Sequence, residues 1–234
     1  MSEDSKLLTR RRRFLTGVGV VATGATLAAT ARAAENHQHH HEGSGFTPAR
    51  HELDAWMDVP GVTHRAFIDS SSGRGGADAL NYANNILLGN RDAYGGSDSD
   101  YGLIVCFRHM ATPLGYNDVI WEKYGESLSR ATGLTAPGSD APLSVNPMNI
   151  EQAAYGNRGN TLKAVAARGV QFALCNKATQ SIAGMLARAS GSSAEEVYQE
   201  LIANNIPDSR FVPAGVLAAT RAQEYGYSFL FAAG

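Results

Sequence analysis

Cys175 closes an apolar run, "VQFALC", and opens a stretch of helical period, "NKATQSIAGMLARASG". A side chain at such a junction meets the unpaired backbone N–H groups of a helix start, which favour an anion over a neutral group. Sulfur chemistry needs that anion, because the thiolate and not the thiol is the nucleophile. Lys177 stands close enough in sequence to add positive charge, and Asn176 and Thr179 offer hydrogen bonds to a sulfur anion. Against this stands the ordinary fate of a cysteine, which is burial as a small apolar side chain. Both readings are open on the sequence alone. His109 follows Arg108 at the end of a second apolar run, "YGLIVCFRH". It is a candidate base for Cys175 and, with Arg108, a candidate for holding a metal or an anionic substrate; the competing reading is a solvated loop pair. Cys106, inside that run, is expected in packing. A Cys106–Cys175 disulfide requires Cα atoms within about 7 Å, which sequence spacing does not decide.

Two other stretches carry possible chemistry. "DSSSGRGGAD" sets Ser71 and Ser72 and three glycines before a helix, a composition that can cradle phosphate or a flavin. It is not a dinucleotide fingerprint, because the third glycine position falls on Asp78, and the Gly-Lys-Ser/Thr of a P-loop is absent. The competing reading is a flexible strand-to-helix turn. "HQHHHEG" gathers His37, His39, His40 and His41, a tract that binds Zn, Cu or Ni loosely or serves only to solubilise a tail.

The elements that must position these residues follow an alternating rhythm. Short apolar runs in "HRAFIDSSS", "YGLIVCFRH", "VQFALC", "SRFVPAG" and "YSFLFAA" read as five strands. Between them, helical spacing in "GADALNYANNILLGN" stops at Gly89-Asn90, "NDVIWEKYG" is capped by Asn117, and "SAEEVYQELIANNIP" is capped by Ser193 with Glu196 three residues on. "NTLKAVAARG" and "GVLAATRAQEYG" complete the set. Gly125 to Pro147, small and polar, breaks the rhythm and reads as an insertion or lid. Alternation of this kind predicts an α/β domain: three layers around a mostly parallel five-stranded sheet, flavodoxin-like. Its site belongs beyond the carboxyl ends of the strands, which brings Ser70–Gly76, Arg108–Asn117 and Cys175–Thr179 to one edge.

The N-terminus reads as an export signal. Arg10 to Arg13, Phe14 and Leu15 precede a mild Ala/Gly/Thr-rich stretch that ends at Ala31-Arg32-Ala33, the order of a twin-arginine signal cleaved after about Ala33. A membrane anchor competes, but the stretch is a poor span. Residues 34–62 follow as a His-rich tether with a short helix, "HELDAWMDVPG", and the domain is expected over 63–234. The whole chain has 20 basic and 22 acidic residues; the signal holds six and two of them, leaving 14 against 20, a net charge of -6. That balance argues against a nucleic-acid binder. The two cysteines are too few for a disulfide framework.

Two stretches, "ARGVQFALCNKAT" and "VPAGVLAATRAQEYGYSFLFA", carry a family likeness. From about Thr63 to Gly234 the chain resembles the DsrE/DsrF-like family of small sulfur-relay proteins, in which a helix, a glycine and a strand precede a cysteine and a helix. The resemblance implies a sulfur carrier or sulfurtransferase, or a thiol-redox role, working through Cys175, the only cysteine at a position typical of the family. It also implies a trimer or hexamer, with a sulfur donor and acceptor still to be identified. Apolar Val216, Leu217, Tyr225, Tyr227 and Phe229 point independently to a closed homo-oligomer. Export, and with it the twin-arginine translocation machinery as a partner, the His-rich tether and the Gly125–Pro147 segment depart from the family's pattern. Two alternatives remain: a non-catalytic oligomeric module for a small ligand or metal, and a flavin or nucleotide protein built on the Ser/Gly loop.

Overall fold

The computed structural model describes residues 45, 47–151 and 155–234, and residues 49–234 form one compact unit. The export signal and His37, His39, His40 and His41 lie outside the described residues. Among the described residues no helix is long and apolar enough to cross a membrane.

Five strands form one sheet: β1 (His64–Ser70), β2 (Tyr101–Phe107), β3 (Gln171–Cys175), β4 (Ser209–Val212) and β5 (Ser228–Ala232). All pairs are parallel, in the order 4-3-2-1-5. Six helices connect them: α1 (Gly73–Tyr94), α2 (Asp118–Thr132), α3 (Leu162–Ala166), α4 (Asn176–Ser190), α5 (Ala194–Ala203) and α6 (Gly215–Glu224). The three-layer, flavodoxin-like architecture expected from the rhythm is present. Strand order reverses between β1 and β5, whereas flavodoxin itself reverses between β1 and β3.

The order decides the layers. Moving from β1 to β4 always in one direction, right-handed crossovers place their helices on one face; the return from β4 to β5 places α6 on the other. The alternation of side chains along each strand agrees. Leu103, Val105 and Phe107 pack with Leu80, Trp121, Ile182 and Leu201 of the larger layer. Ile104 and Cys106 pack with Ala218, Ala219 and Ala222 of α6 and with Met57. Each fully buried Leu or Phe of these layers contributes roughly 1.5–3 kcal/mol. The turn Glu52–Met57 belongs to the smaller layer: Met57 is buried, its carbonyl accepts from the Tyr227 hydroxyl at 2.9 Å, and Asp54 pairs with Arg221 at 3.0 Å. The domain therefore starts near Ala49 rather than at residue 63.

Local chemistry sets the helix ends, and it corrects two boundaries. Ser72, Asn117, Thr161 and Ser193 each accept a backbone N–H at a helix start, Ser193 in a reciprocal capping box with Glu196. The helix expected to stop at Gly89-Asn90 continues to Tyr94 and ends on Gly95 in the left-handed conformation. The Gly125–Pro147 segment is not an insertion from its start: α2 kinks at Tyr124 (φ -119°, ψ 15°), and helix resumes from Gly125 to Thr132. Beyond it, Leu134, Leu143 and Met148 are buried in the larger core, and buried Asn146 donates to the carbonyls of Leu114 and Tyr116 at 2.8 and 2.7 Å. The small, polar residues that suggested a lid are the lining of a loop tied to the core. Gly125 is required by this closeness, since a Cβ there would lie 1.7 Å from the Leu143 carbonyl oxygen.

Candidate functional site

Cys175 ends β3 and is itself the cap residue of α4. Its Sγ accepts the Ala178 N–H at 3.4 Å, within the range for a sulfur acceptor. Cys175 as a residue is buried, 7 % exposed, against 0 % for Cys106. A helix start offers partial positive charge to whatever occupies this position, here the sulfur.

The neighbours take other roles than the sequence suggests. Thr179 is fully buried and its hydroxyl donates to the Cys175 carbonyl at 3.1 Å, while it accepts from the Tyr116 hydroxyl at 3.1 Å. It therefore fixes the strand-to-helix turn and does not bond the sulfur. The Asn176 carboxamide accepts from the Tyr198 hydroxyl at 2.9 Å, tying α4 to α5. Lys177 is exposed on the first turn of α4; its carbonyl accepts from the Ser181 hydroxyl at 3.2 Å, and its ammonium has no hydrogen bond or ion pair among the described residues. Burial pushes the Tyr116 phenol up; the Thr179 hydrogen bond opposes this and the nearby Cys175 adds to it.

Arg108 and His109 follow β2 on the same edge. Arg108 is committed to a carboxylate: its Nε lies 2.9 and 3.0 Å from the two oxygens of buried Asp69, and a terminal nitrogen lies 2.9 Å from one of them. The pair raises the Arg108 guanidinium above its ordinary range, against the cost of burial. As an anion binder Arg108 is thus half spent. His109 is exposed, has left-handed backbone (φ 50°), and makes no hydrogen bond to Cys175. That conformation is uncommon outside glycine and marks a constrained corner.

Cys106 lies beneath this edge, fully buried against the start of α6. A Cβ at Gly215 would come within 3.2 Å of its sulfur and 2.6 Å of the Arg108 Cβ, so only glycine lets α6 approach so closely. Ala214 caps α6 without a side-chain bond, which leaves a second helix start on the carboxyl edge of the sheet. Both thiols are free.

The Ser/Gly loop is filled by the protein itself. Ser72 accepts the Gly75 N–H at 3.0 Å and donates to the Ala233 carbonyl at 3.2 Å. Ser71 accepts the Met110 N–H at 3.1 Å through its carbonyl. Added Cβ atoms at Gly73, Gly75 and Gly76 would strike Thr132, Ala232 and Leu114 at 2.4 Å or less. These glycines serve close packing of chain on chain, and the C-terminal residues cover the helix start that a phosphate would need. Among the described residues no group of three or more His, Cys, Asp or Glu side chains could hold a metal ion.

The carboxyl edge thus brings together Cys175, Asn176, Thr179, Arg108 and His109, as the reading of the strands requires. Asp69, Tyr116 and Gly215 were missed. An acid inside the apolar run "AFID" was the one available signal for Asp69. No family model matches the chain, and no curated protein matches it.

Proposed function

We propose that this is an exported, DsrE-like sulfur carrier that receives and passes on one sulfane sulfur at Cys175. The observation that supports it is the Cys175 sulfur at the start of α4, accepting the Ala178 N–H on the carboxyl edge of the sheet. In the reaction, the Cys175 thiolate attacks the outer sulfur of a donor persulfide. The donor's S–S bond breaks, and the donor's inner sulfur leaves with the bonding pair as a thiolate. The transferred sulfur keeps its proton, charge is conserved, and no external oxidant or reductant is consumed. The Ala178 amide at the start of α4 stabilises the Cys175 thiolate before transfer, and the negative charge leaves with the donor's thiolate. Lys177 and His109, both exposed on this edge, are the groups placed to meet an anionic donor or exchange a proton with it.

The experiment is a transfer assay. Protein treated with polysulfide and freed of excess reagent should yield thiocyanate on addition of cyanide, which removes sulfane sulfur. Cys175→Ser should yield none while Cys106→Ala keeps the yield. Equal yields from wild type and Cys175→Ser would end the proposal. Export is part of the same reading: Arg11→Lys with Arg12→Lys should retain the chain inside the cell, and the exported form should begin near Ala34.

A binding module without covalent chemistry is the second reading, favoured by the low exposure of Cys175. It requires that Cys175→Ser leave ligand binding intact.

A further inference from the structure

A recess of about 490 Å³ opens off the free edge of β4, immediately beside the cysteine turn. Asn176, the residue after Cys175, lines it, and so does Val212, the register partner of Cys175 on β4. Its volume falls in the range of small-molecule pockets, about 300–1,000 Å³. The walls are apolar at Leu53, Trp56 and Phe211. One cation stands in it. The Arg210 guanidinium carbon lies 4.5 Å over the Trp56 ring, and the exposed guanidinium has no carboxylate or other hydrogen-bond partner among the described residues. A guanidinium held over an aromatic face and bonded to nothing else has N–H groups to offer, and its planar fork matches a carboxylate with two parallel hydrogen bonds.

We propose that this recess seats a small carboxylate-bearing persulfide, its carboxylate on Arg210, its apolar chain on Trp56 and Phe211, and its sulfur end toward the Cys175 turn. The assignment rests on the sulfur-carrier reading and names the donor class for it. The other cations at the edge do not compete for the carboxylate in the same way: Arg108 is paired with Asp69, and Lys177 lacks both the fork and the aromatic platform. Transfer itself follows the balanced exchange given above, with the small thiolate as the leaving group.

Binding and transfer are tested separately. Trp56 reports binding by its fluorescence, Trp121 being fully buried in the larger layer. 3-Phenylpropanoate should change the emission saturably, and the neutral 3-phenylpropanol should bind at least tenfold more weakly. Arg210→Gln should bring the acid down to the level of the alcohol, and Arg210→Lys should recover only part of the loss. Equal binding of acid and alcohol, or an Arg210→Gln variant that binds the acid as wild type does, would overturn the proposal. So would binding of a peptide C-terminus with no binding of the small acid. For transfer, Arg210→Gln should slow loading of Cys175 from the persulfide of 3-mercaptopropionate about tenfold, with loading from inorganic polysulfide unchanged. If neither donor loads wild-type Cys175 while 3-phenylpropanoate still binds through Arg210, the carrier reading fails and the carboxylate site stands.

Discussion

Cys106 is the register partner of Ala173, so it lies two residues short of Cys175 across the β2–β3 pair. A strand spacing near 4.8 Å and a rise of about 3.3 Å per residue put their Cα atoms about 8 Å apart. That exceeds the roughly 7 Å a disulfide spans without backbone movement. Mild oxidation of the folded protein should therefore leave the Cys106 and Cys175 peptides unlinked in a non-reducing digest. A linked pair at high yield would mean that β3 or the start of α4 shifts readily, and the rigid cysteine turn argued above would be wrong.

Buried Cys106 sets an alkaline limit on stability. Burial, then the Asp69 carboxylate and the neighbouring Cys175, push its thiol well up, with Arg108 pulling the other way. Unfolded, a cysteine releases its proton near pH 8.5; folded, Cys106 keeps it. The folded state then binds more protons than the unfolded state, so stability falls as pH rises above about 8.5. One such group gives a slope of about 1.4 kcal/mol per pH unit. Urea unfolding between pH 8 and 10 should show the fall, and Cys106→Ala should flatten its onset. An unchanged slope in that variant would contradict the placement of Cys106.

Two helical glycines should respond in opposite directions to alanine. Gly89 is exposed in α1 and an added Cβ meets nothing within 4 Å; Gly89→Ala should stabilise by about 0.5–1 kcal/mol through helix propensity. Gly125 in α2 lies under the Leu143 carbonyl; Gly125→Ala should destabilise by about 1–3 kcal/mol because the loop must move. Urea midpoints at constant slope measure both. Equal effects would remove the argument that the loop after α2 is part of the core.

The surface of the return crossover should mediate self-association. Val216 and Leu217 on α6 and Phe229, Leu230 and Phe231 on edge strand β5 are each more than 40 % exposed. Exposed apolar side chains on a helix and its neighbouring edge strand are what a closed oligomer covers. Light scattering should give a multiple of the protomer mass at micromolar concentration, and Leu217→Glu with Phe229→Glu should lower it. A protomer mass for wild type would refute the oligomer.

The strands were legible because they are short, apolar and bounded by turn residues, and the alternation with helices left one fold class. Cys175 was legible as a strand-to-helix junction for the same reason. Three things were not. The sequence placed a break at Gly125 and the backbone does kink at Tyr124, but periodicity gave no sign that helix resumes beyond it to Thr132, in a small, polar stretch whose packing against the following loop is not local. Tyr225 and Tyr227 read as oligomer surface, yet both are buried, since the turn Glu52–Met57 folds back under α6. The partners of Arg108 and Thr179 depend on contacts from β1 and from the turn after β2, 39 and 63 residues away in sequence. Such pairings are set by strand order, which local pattern does not encode.

The measurement that bears most directly on the central claim is the mass of the Cys175 peptide after the protein is exposed to polysulfide and then alkylated. The account predicts a population heavier by one sulfur atom on that peptide, with none on the Cys106 peptide. A Cys175 peptide that carries only the alkylating group at every polysulfide dose would contradict it.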